Sequence, residues 1–227
     1  MNLGLPLRLG TRGSPLALAQ AGEIERRLMA AHPALREPGA ILRVMIRTSG
    51  DRFLDRPPAE LGGKGLFTRE IEEALLARQI DLAVHSMKDM PTVLPDGLAI
   101  VCVPPREDPR DVLIANGARG IAGLAAGARV GTASLRRQAQ LLARRPDLRI
   151  EMLRGNVETR VRKVRDGAVD ATLLALAGLR RLGAARHADG VLEPDEMLPA
   201  VGQGALAIEA RADDGALRAL QIGRAHV

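Results

Sequence analysis

Strand-like apolar runs alternate with single helical patterns along this chain, and this alternation restricts its fold more strongly than any other sequence feature. Strands separated by one helix each are typical of a parallel α/β sheet. Pro104 and Pro105 interrupt the pattern and mark a boundary between two lobes. We predict strands at 5–10, 41–46, 80–84, 98–103, 111–114, 129–131, 148–153 and 171–174, and helices at 14–31 and 67–78 and from Ser134 and Asn156.

The charge balance points to an anionic ligand. Thirty-three lysines and arginines against 27 aspartates and glutamates give a net charge of +6, and nearly all of these cations are arginines. A guanidinium donates in pairs to carboxylate or phosphate oxygens, although a GC-rich genome alone also enriches arginine. Aromatic residues make up only 1% of the chain, which excludes a base-stacking platform for single-stranded nucleic acid. The sequence does not exclude a surface that binds double-stranded nucleic acid, but it contains no helix-turn-helix or basic-zipper pattern that would support one.

Three features that the sequence lacks restrict the expected cellular compartment and the expected metal and disulfide chemistry. No apolar run approaches the ~18–20 residues of a membrane span, and residues 1–12 lack the pattern of a secretory signal. Cys102 is the only cysteine, which excludes an internal disulfide and a cysteine-based metal cluster. We therefore predict a cytoplasmic protein with no membrane partner and no metal.

Two loops have the composition of anion sites. Segments 9–15 and 130–137 each lead from a predicted strand into a helix and combine glycine, hydroxyl side chains and arginine. Helix N-termini at the carboxyl ends of parallel strands offer free N–H groups to anions. In the first loop, Ser14 is the expected N-cap and Pro15 the first helical residue. Each loop alone could be a plain capped helix, whereas the pair favours an anionic ligand in a cleft between the lobes.

Seven ordered segments match the motifs of one enzyme family. They are TRGSPLA at 11–17, GGKGLF at 62–67, VHSMKD at 84–89, REDPRD at 106–111, GTASLRRQ at 131–138, LRGNV at 153–157 and LPAVGQG at 198–204. Through these motifs the chain resembles the porphobilinogen deaminases, or hydroxymethylbilane synthases, over about residues 5–220.

The resemblance implies a transferase of tetrapyrrole and heme biosynthesis. Such an enzyme condenses four porphobilinogen molecules head to tail into hydroxymethylbilane and releases ammonia at each step. The implied fold is α/β, with two lobes like those of periplasmic binding proteins, parallel-rich mixed sheets and a ligand cleft between them. The family's third, α+β domain carries the cysteine that binds a covalent dipyrromethane primer, and we expect this domain to be absent here.

The resemblance also sets the expected domain bounds. Domain 1 covers residues 1–103 and is completed by a return segment at 200–221, and domain 2 covers 104–199. Residues 222–227 do not continue the family pattern and are interpreted as an artefactual tail of a truncated gene model. Cys102 does not match the cofactor motif and is interpreted as a buried, inert thiol. The chain alone is therefore expected to be inactive.

Cofactor and substrate contacts follow from the resemblance, because the pyrroles carry acetate and propionate groups that forked arginine donors bind well. For Phe67 a core position and for Lys64 an exposed turn stay open as alternatives. Adjacent residues of one helix project differently, so one of Arg136 and Arg137 is expected to be solvated or to contact the other lobe. The expected contact residues are Arg12, Ser14, Lys64, Phe67, Lys88, Thr132, Ser134, Arg136, Arg137, Arg154, Arg160 and Arg181.

Asp89 is the predicted catalytic residue. Loss of ammonia from an aminomethyl group needs a proton on nitrogen and leaves a positively charged, azafulvene-like species. A carboxylate fixed beside the pyrrole N–H stabilises that cation and moves the proton. The residues alone also allow Asp89 merely to cap a turn, but the family motif favours catalysis, with Lys88 holding substrate carboxylates. His85 is interpreted as a structural histidine.

Two other functions stay open at this point. The two lobes could form a non-catalytic module that binds a small carboxylate, or the basic chain could bind nucleic acid. We favour the enzyme, which is expected to act as a monomer on porphobilinogen without nucleic acid or membrane as a partner.

Overall fold

The computed structural model describes residues 5–52 and 65–219, which form two compact units with one five-stranded sheet each. The first unit holds the described residues up to Arg106 and again from Ala205, and the second is Glu107–Gly204. The expected domain bounds at 103/104 and 199/200 stay predictions, and the proposed tail at 222–227 lies outside the described residues. Within those residues, no helix combines the length and the apolar character needed to cross a membrane.

In the first unit, helices cover both faces of the sheet. Leu82 and Val84 of one strand pack with the first helix, whereas Ala83 between them packs on the opposite face with Ile71 and Leu75. This alternation follows from the two-residue period of a strand. The elements are β1 (Leu7–Arg12), α1 (Pro15–Ala31), β2 (Ile41–Ile46), α2 (Ser49–Arg52), α3 (Arg69–Leu76), β3 (Leu82–Ser86) and β4 (Leu98–Cys102).

The second unit repeats the same layering. Leu113 packs with Leu141 of a helix on one face, and its neighbours Val112 and Ile114 pack with Val161 of another helix on the other face. Its elements are β5 (Asp111–Ala115), β6 (Arg129–Gly131), α4 (Leu135–Arg144), β7 (Arg149–Glu151), α5 (Val157–Arg165), β8 (Ala171–Ala175), α6 (Leu176–Arg181) and β9 (Gly190–Leu192). The chain then returns to the first unit with β10 (Leu206–Arg211) and α7 (Gly215–Arg218).

The two sheets share one topology. Their strand orders are β2-β1-β3-β10-β4 and β7-β6-β8-β5-β9. In each sheet one strand is antiparallel to both of its neighbours, β10 in the first and β5 in the second. Each reversed strand is the first one after the chain enters that unit from the other. The expected α/β class with parallel-rich mixed sheets is confirmed.

Several predicted bounds are shifted for local reasons. The first strand was expected at 5–10 but begins at Leu7, where the N–H of Leu7 donates to the carbonyl of Ala40, because Pro6 has no N–H to donate. The third strand was expected at 80–84 but begins at Leu82, since the N–H of Ile80 still closes the end of α3 on the carbonyl of Ala74. Strand β2 and helix α1, with its N-cap at Ser14, are confirmed.

We predict that Gly190→Ala destabilises the second unit. A Cβ atom at this position in β9 would lie 1.6 Å from the backbone carbonyl oxygen of Arg119, so the backbone itself must move. We expect the free energy of unfolding in urea to fall by about 3 kcal/mol. Gly123→Ala is the control, because its Cβ would meet nothing closer than 3.7 Å. Equal stability of the two variants would contradict this packing.

Candidate functional site

The first unit brings two of the predicted segments to one edge of its sheet. β1 and β3 are adjacent and parallel, so their carboxyl ends lie side by side. β1 ends at Arg12 and runs into Ser14, and β3 leads into the single 3₁₀ turn Met87–Asp89. The side chain of Gln20 links α1 to the end of β3, because it donates to the Ser86 hydroxyl at 2.9 Å.

Arg12 is held against an aromatic ring. Its guanidinium carbon lies 4.1 Å from the centroid of Phe67, a cation–π arrangement. Phe67 is half-buried and also packs on Gly50, where a built Cβ would come within 2.2 Å of the ring. Phe67 therefore has a packing role and contacts a candidate site residue, and its predicted contact with the cofactor stays a prediction.

The other predicted site residues of this unit differ in their hydrogen bonding and exposure. The Ser14 hydroxyl accepts a hydrogen bond from the Ala17 N–H at 3.3 Å and so caps α1. Lys88 and Asp89 are exposed on their turn. Lys64 lies outside the described residues. The unit thus presents an exposed carboxylate and ammonium group beside a guanidinium that is fixed by a ring.

In the second unit, the buried carboxylate of Asp111 organises the equivalent edge of the sheet. Asp111 is the first residue of the reversed strand β5, and its side chain is 0% exposed. Arg136 donates to Oδ2 at 2.6 Å and Arg137 to Oδ1 at 2.7 Å. The amide of Gln203 also donates to Oδ1, at 2.9 Å.

This arrangement corrects the expectation for the two adjacent arginines. We expected one of them to be solvated or to contact the other lobe, because neighbouring helix residues project differently. Both long side chains instead reach the two oxygens of Asp111 from different directions. Arg137 is buried and also donates to the carbonyl of Leu173 at 2.8 Å, and Arg136 donates to the carbonyl of Leu198.

Charge attraction keeps Asp111 ionised in this buried place. Burial acts to raise the pKa of Asp111, but the charge and hydrogen bonds of Arg137, together with those of Arg136, outweigh it and hold the pKa below its usual range. Such a carboxylate is costly to bury unless it is fully paired. Asp111 therefore fixes both guanidiniums rather than serving as a free acid or base.

The hydroxyl side chains at the carboxyl end of β6 order the start of α4. The Thr132 hydroxyl accepts from the Ser134 N–H at 3.1 Å, and the Ser134 hydroxyl accepts from the Arg137 N–H at 3.4 Å. Gly131 allows this turn to lie close to the next loop, because a Cβ there would come within 2.6 Å of the Leu153 side chain.

Arg160 is a strongly perturbed cation beside this turn. Burial, with repulsion by Arg137 and Arg154, lowers its pKa to about 10. Its Nε donates to the carbonyl of Gly155 at 2.9 Å, and no carboxylate in the described part of the chain pairs with it. Arg137 and Arg154 thus contribute positive charge around Arg160, and Asp111 pairs with Arg137. This cluster of Arg137, Arg154 and Arg160 favours an anion.

Arg181 has a different setting from the arginine cluster. It lies at the end of α6, and its guanidinium donates to the carbonyl of Gly204 at 3.0 Å, near the point where the chain leaves the second unit. Its predicted contact with a ligand stays a prediction.

Sequence reasoning missed the roles of Asp111 and Gln203. Both lie inside quoted motifs, REDPRD and VGQG, but neither was assigned a function. A signal was available, since an aspartate that starts an apolar strand of five buried residues must find a partner inside the protein. The partners themselves could not be identified, because Gln203 is 92 residues away in the chain.

The lowered pKa of Asp111 leads us to predict that the stability of the protein depends on pH. Because folding lowers its pKa, its stabilisation is complete above about pH 5 and is lost as the pH falls below ~4 through the lower folded value. We expect Asp111→Asn to lower the free energy of unfolding at pH 7 by about 3 kcal/mol and to flatten its decline in acid. Chemical unfolding between pH 2 and pH 7 measures both effects.

Asp170→Asn is the matched control for this prediction. This substitution removes the carboxylate of a half-exposed ion pair with Arg129. An ion pair of this kind stabilises a protein by less than about 1 kcal/mol. The account of Asp111 fails if the two variants have the same stability at pH 7.

Comparison with known proteins gives a consistent family match. The sequence model described as "Porphobilinogen deaminase, dipyromethane cofactor binding domain" matches residues 7–219. The chain is 60% identical to a porphobilinogen deaminase of Paracoccus denitrificans, over 92% of this chain and 66% of that protein. It is 58% identical to a chloroplastic porphobilinogen deaminase of rice, Oryza sativa, over 92% of this chain and 58% of that protein. The chain thus spans about three fifths to two thirds of these relatives' length.

Solved structures share the fold at much lower identity. A periplasmic substrate-binding protein of an ABC transporter from Coxiella burnetii aligns over 95% of this chain and 89% of its own, with a TM-score of 0.51 and 15% identity. This likeness confirms the expected periplasmic-binding-protein-like fold. At such low identity it says nothing of the ligand.

Proposed function

Because the chain belongs to the porphobilinogen deaminase family, we propose that it forms the cofactor- and substrate-binding part of an enzyme that makes hydroxymethylbilane. The reaction joins four porphobilinogen molecules head to tail and releases ammonia at each step. The observation that carries the proposal is the cluster of Arg137, Arg154 and Arg160, in which burial and the charges of the other two arginines lower the pKa of Arg160. A ligand rich in carboxylates is stabilised by this concentration of guanidiniums.

The residues of the second unit fit a dipyrromethane cofactor. This group carries acetate and propionate side chains, and the arginine cluster and the hydroxyls at the start of α4 are suitable donors for them. We assign its carboxylates to Arg154 and Arg160, with Thr132 and Ser134 beside them. When bound, the cofactor supplies the pyrrole carbon at which the first substrate is joined. Arg136 and Arg137 act mainly by holding this edge in place through Asp111.

We assign the proton chemistry to Asp89 in the first unit. The leaving amine needs a proton, and its departure leaves positive charge on the pyrrole that remains. The Asp89 carboxylate stabilises that charge and holds the proton of the pyrrole N–H. Its exposed position on the turn after β3 leaves it accessible to substrate. Lys88, beside it, supplies a cation for a substrate carboxylate.

Replacing Asp89 tests the catalytic assignment. We expect Asp89→Asn, in the complete gene product that contains this chain, to lower kcat at least 100-fold while folding and cofactor content stay unchanged. The measurement is the rate of hydroxymethylbilane formation from porphobilinogen, with cofactor content read from the intact mass.

Asp96→Asn is the control, because Asp96 is an exposed carboxylate on a turn of the same unit. Wild-type turnover in Asp89→Asn would remove the catalytic role. An inactive wild-type protein that still binds the carboxylate ligand would favour the non-catalytic binding module instead.

Replacing Arg160 tests the ligand class. We expect Arg160→Met to weaken binding of a synthetic dipyrromethane with two acetates and two propionates at least tenfold, because a charge-assisted hydrogen bond is lost. Calorimetry on the 227-residue chain measures the affinity.

Arg162→Met is the control for this experiment, since Arg162 is an exposed arginine on the same helix. Equal weakening in both variants would indicate general charge attraction rather than a site. Affinity that falls steeply with salt and does not depend on Arg160 would favour the nucleic-acid reading.

We also propose that the protein works in the cytoplasm as a monomer, with porphobilinogen as its small-molecule partner. Sedimentation of the complete gene product measures the oligomeric state.

A further inference from the structure

Two ionisable side chains meet inside the first unit, away from the residues assigned to chemistry. His85 of β3 and Glu209 of β10 lie on one face of the sheet, two positions apart in the antiparallel register that pairs His85 with Ala207. Their side chains are 3% and 0% exposed, and His85 Nε2 lies 3.0 Å from Glu209 Oε2. Among the described residues this approach lacks hydrogen-bond alignment, so it is an electrostatic contact rather than a directed hydrogen bond.

The backbone of β10 changes register at this point. Its pairing with β4 shifts between Ile208 and Glu209. Such irregularities bend a strand and re-aim a side chain. Here the shift coincides with the residue whose carboxylate faces His85. A buried carboxylate in an apolar layer needs such a partner, because desolvation of an unpaired charge is costly.

A second buried carboxylate, Glu72 of α3, belongs to the same cluster, and several neighbouring groups shift its pKa. Burial raises the pKa of Glu72, and repulsion by Glu209 adds to this, against the opposing effects of Thr68 and His85. Of the two carboxylates that face His85, Glu209 is the one in direct contact with the imidazole.

This cluster lies directly behind the turn that carries Asp89. Successive residues of β3 alternate between faces, so His85 points towards the α3 side and Ser86 towards α1. Gln20 holds Ser86 from the α1 side at 2.9 Å. The next residue, Met87, donates its N–H to the carbonyl of Ala205 at 3.0 Å, immediately before β10. The last residues of β3 are thus held on both faces just before the turn Met87–Asp89 begins.

We propose that His85 and Glu209 form a buried positioning pair that fixes the end of β3 against β10 and thereby sets the place of Lys88 and Asp89. The pair does not touch the substrate and is not catalytic. It acts through the backbone, because any change in the distance between the two side chains shifts the strand from which the turn projects. The kinetic consequence rests on the proposed function, whereas the ordering of the turn does not.

The decisive variant is Glu209→Asp, which keeps the charge and the burial but withdraws the carboxylate by one methylene. We expect hydrogen–deuterium exchange in residues 86–90 of the 227-residue chain to become at least fivefold faster. In the complete gene product we expect kcat to fall at least fivefold while KM stays within twofold. Glu209→Gln keeps the length of the side chain but replaces the carboxylate with a neutral amide, so it should also speed exchange and lower kcat at least fivefold.

Glu72→Gln is the matched control, because Glu72 is a buried carboxylate of the same cluster that is not in direct contact with His85. It should leave exchange and kcat within twofold of wild type. Urea unfolding of every variant shows whether the protein remains folded, and His85→Asn, which also separates the pair, replaces Glu209→Asp if that variant unfolds.

Wild-type exchange and kcat in Glu209→Asp would overturn the proposal, and so would equal effects of Glu209→Asp and Glu72→Gln. An inactive wild-type gene product would count against the proposed function alone. The exchange measurement still tests the positioning pair in that case.

Discussion

A single buried carboxylate holds together the edge of the second unit's sheet at which we propose that the ligand binds. Asp111 has no contact with water, and it ionises there only because Arg136 and Arg137 supply charge and hydrogen bonds from α4 while Gln203 adds an amide donor. The reversed direction of β5 brings this first residue to the edge where β6 and β8 end. Without that reversal, the carboxylate would lie at the opposite end of the sheet. The charge network around Asp111 therefore depends on the direction of β5.

The same network also sets the charge at the ligand site that we propose for the neighbouring arginines. Asp111 neutralises part of the positive charge and fixes Arg137, whose remaining field, with that of Arg154, acts on the half-buried Arg160. Repulsion between cations lowers stability, and proteins retain it mainly where function needs it. An incoming carboxylate relieves the repulsion and gains charge-assisted hydrogen bonds. The first unit uses its buried charge differently, since His85 and Glu209 support a turn whose own charged groups remain exposed.

Local sequence patterns predict part of this architecture well. Helix α1 follows from Ser14, Pro15 and a helical apolar period, and β2 follows from its apolar run. The reversed strands β5 and β10 could not be oriented from sequence, because strand direction depends on where the chain returns from. Local sequence patterns also could not predict that Arg136 and Arg137 both pair with Asp111. This pairing requires an acceptor 25 and 26 residues away, and helix geometry alone suggested that the two side chains diverge.

A crystal structure of the 227-residue chain with a bound dipyrromethane that carries acetate and propionate groups tests the central claim most directly. The account predicts ligand carboxylates on the guanidiniums of Arg154 and Arg160, with the three contacts of Arg136, Arg137 and Gln203 to Asp111 unchanged. Carboxylates bound elsewhere, with Arg160 covered by protein, would contradict it. A ligand that displaces Arg137 from Asp111 would contradict the role assigned to the buried carboxylate.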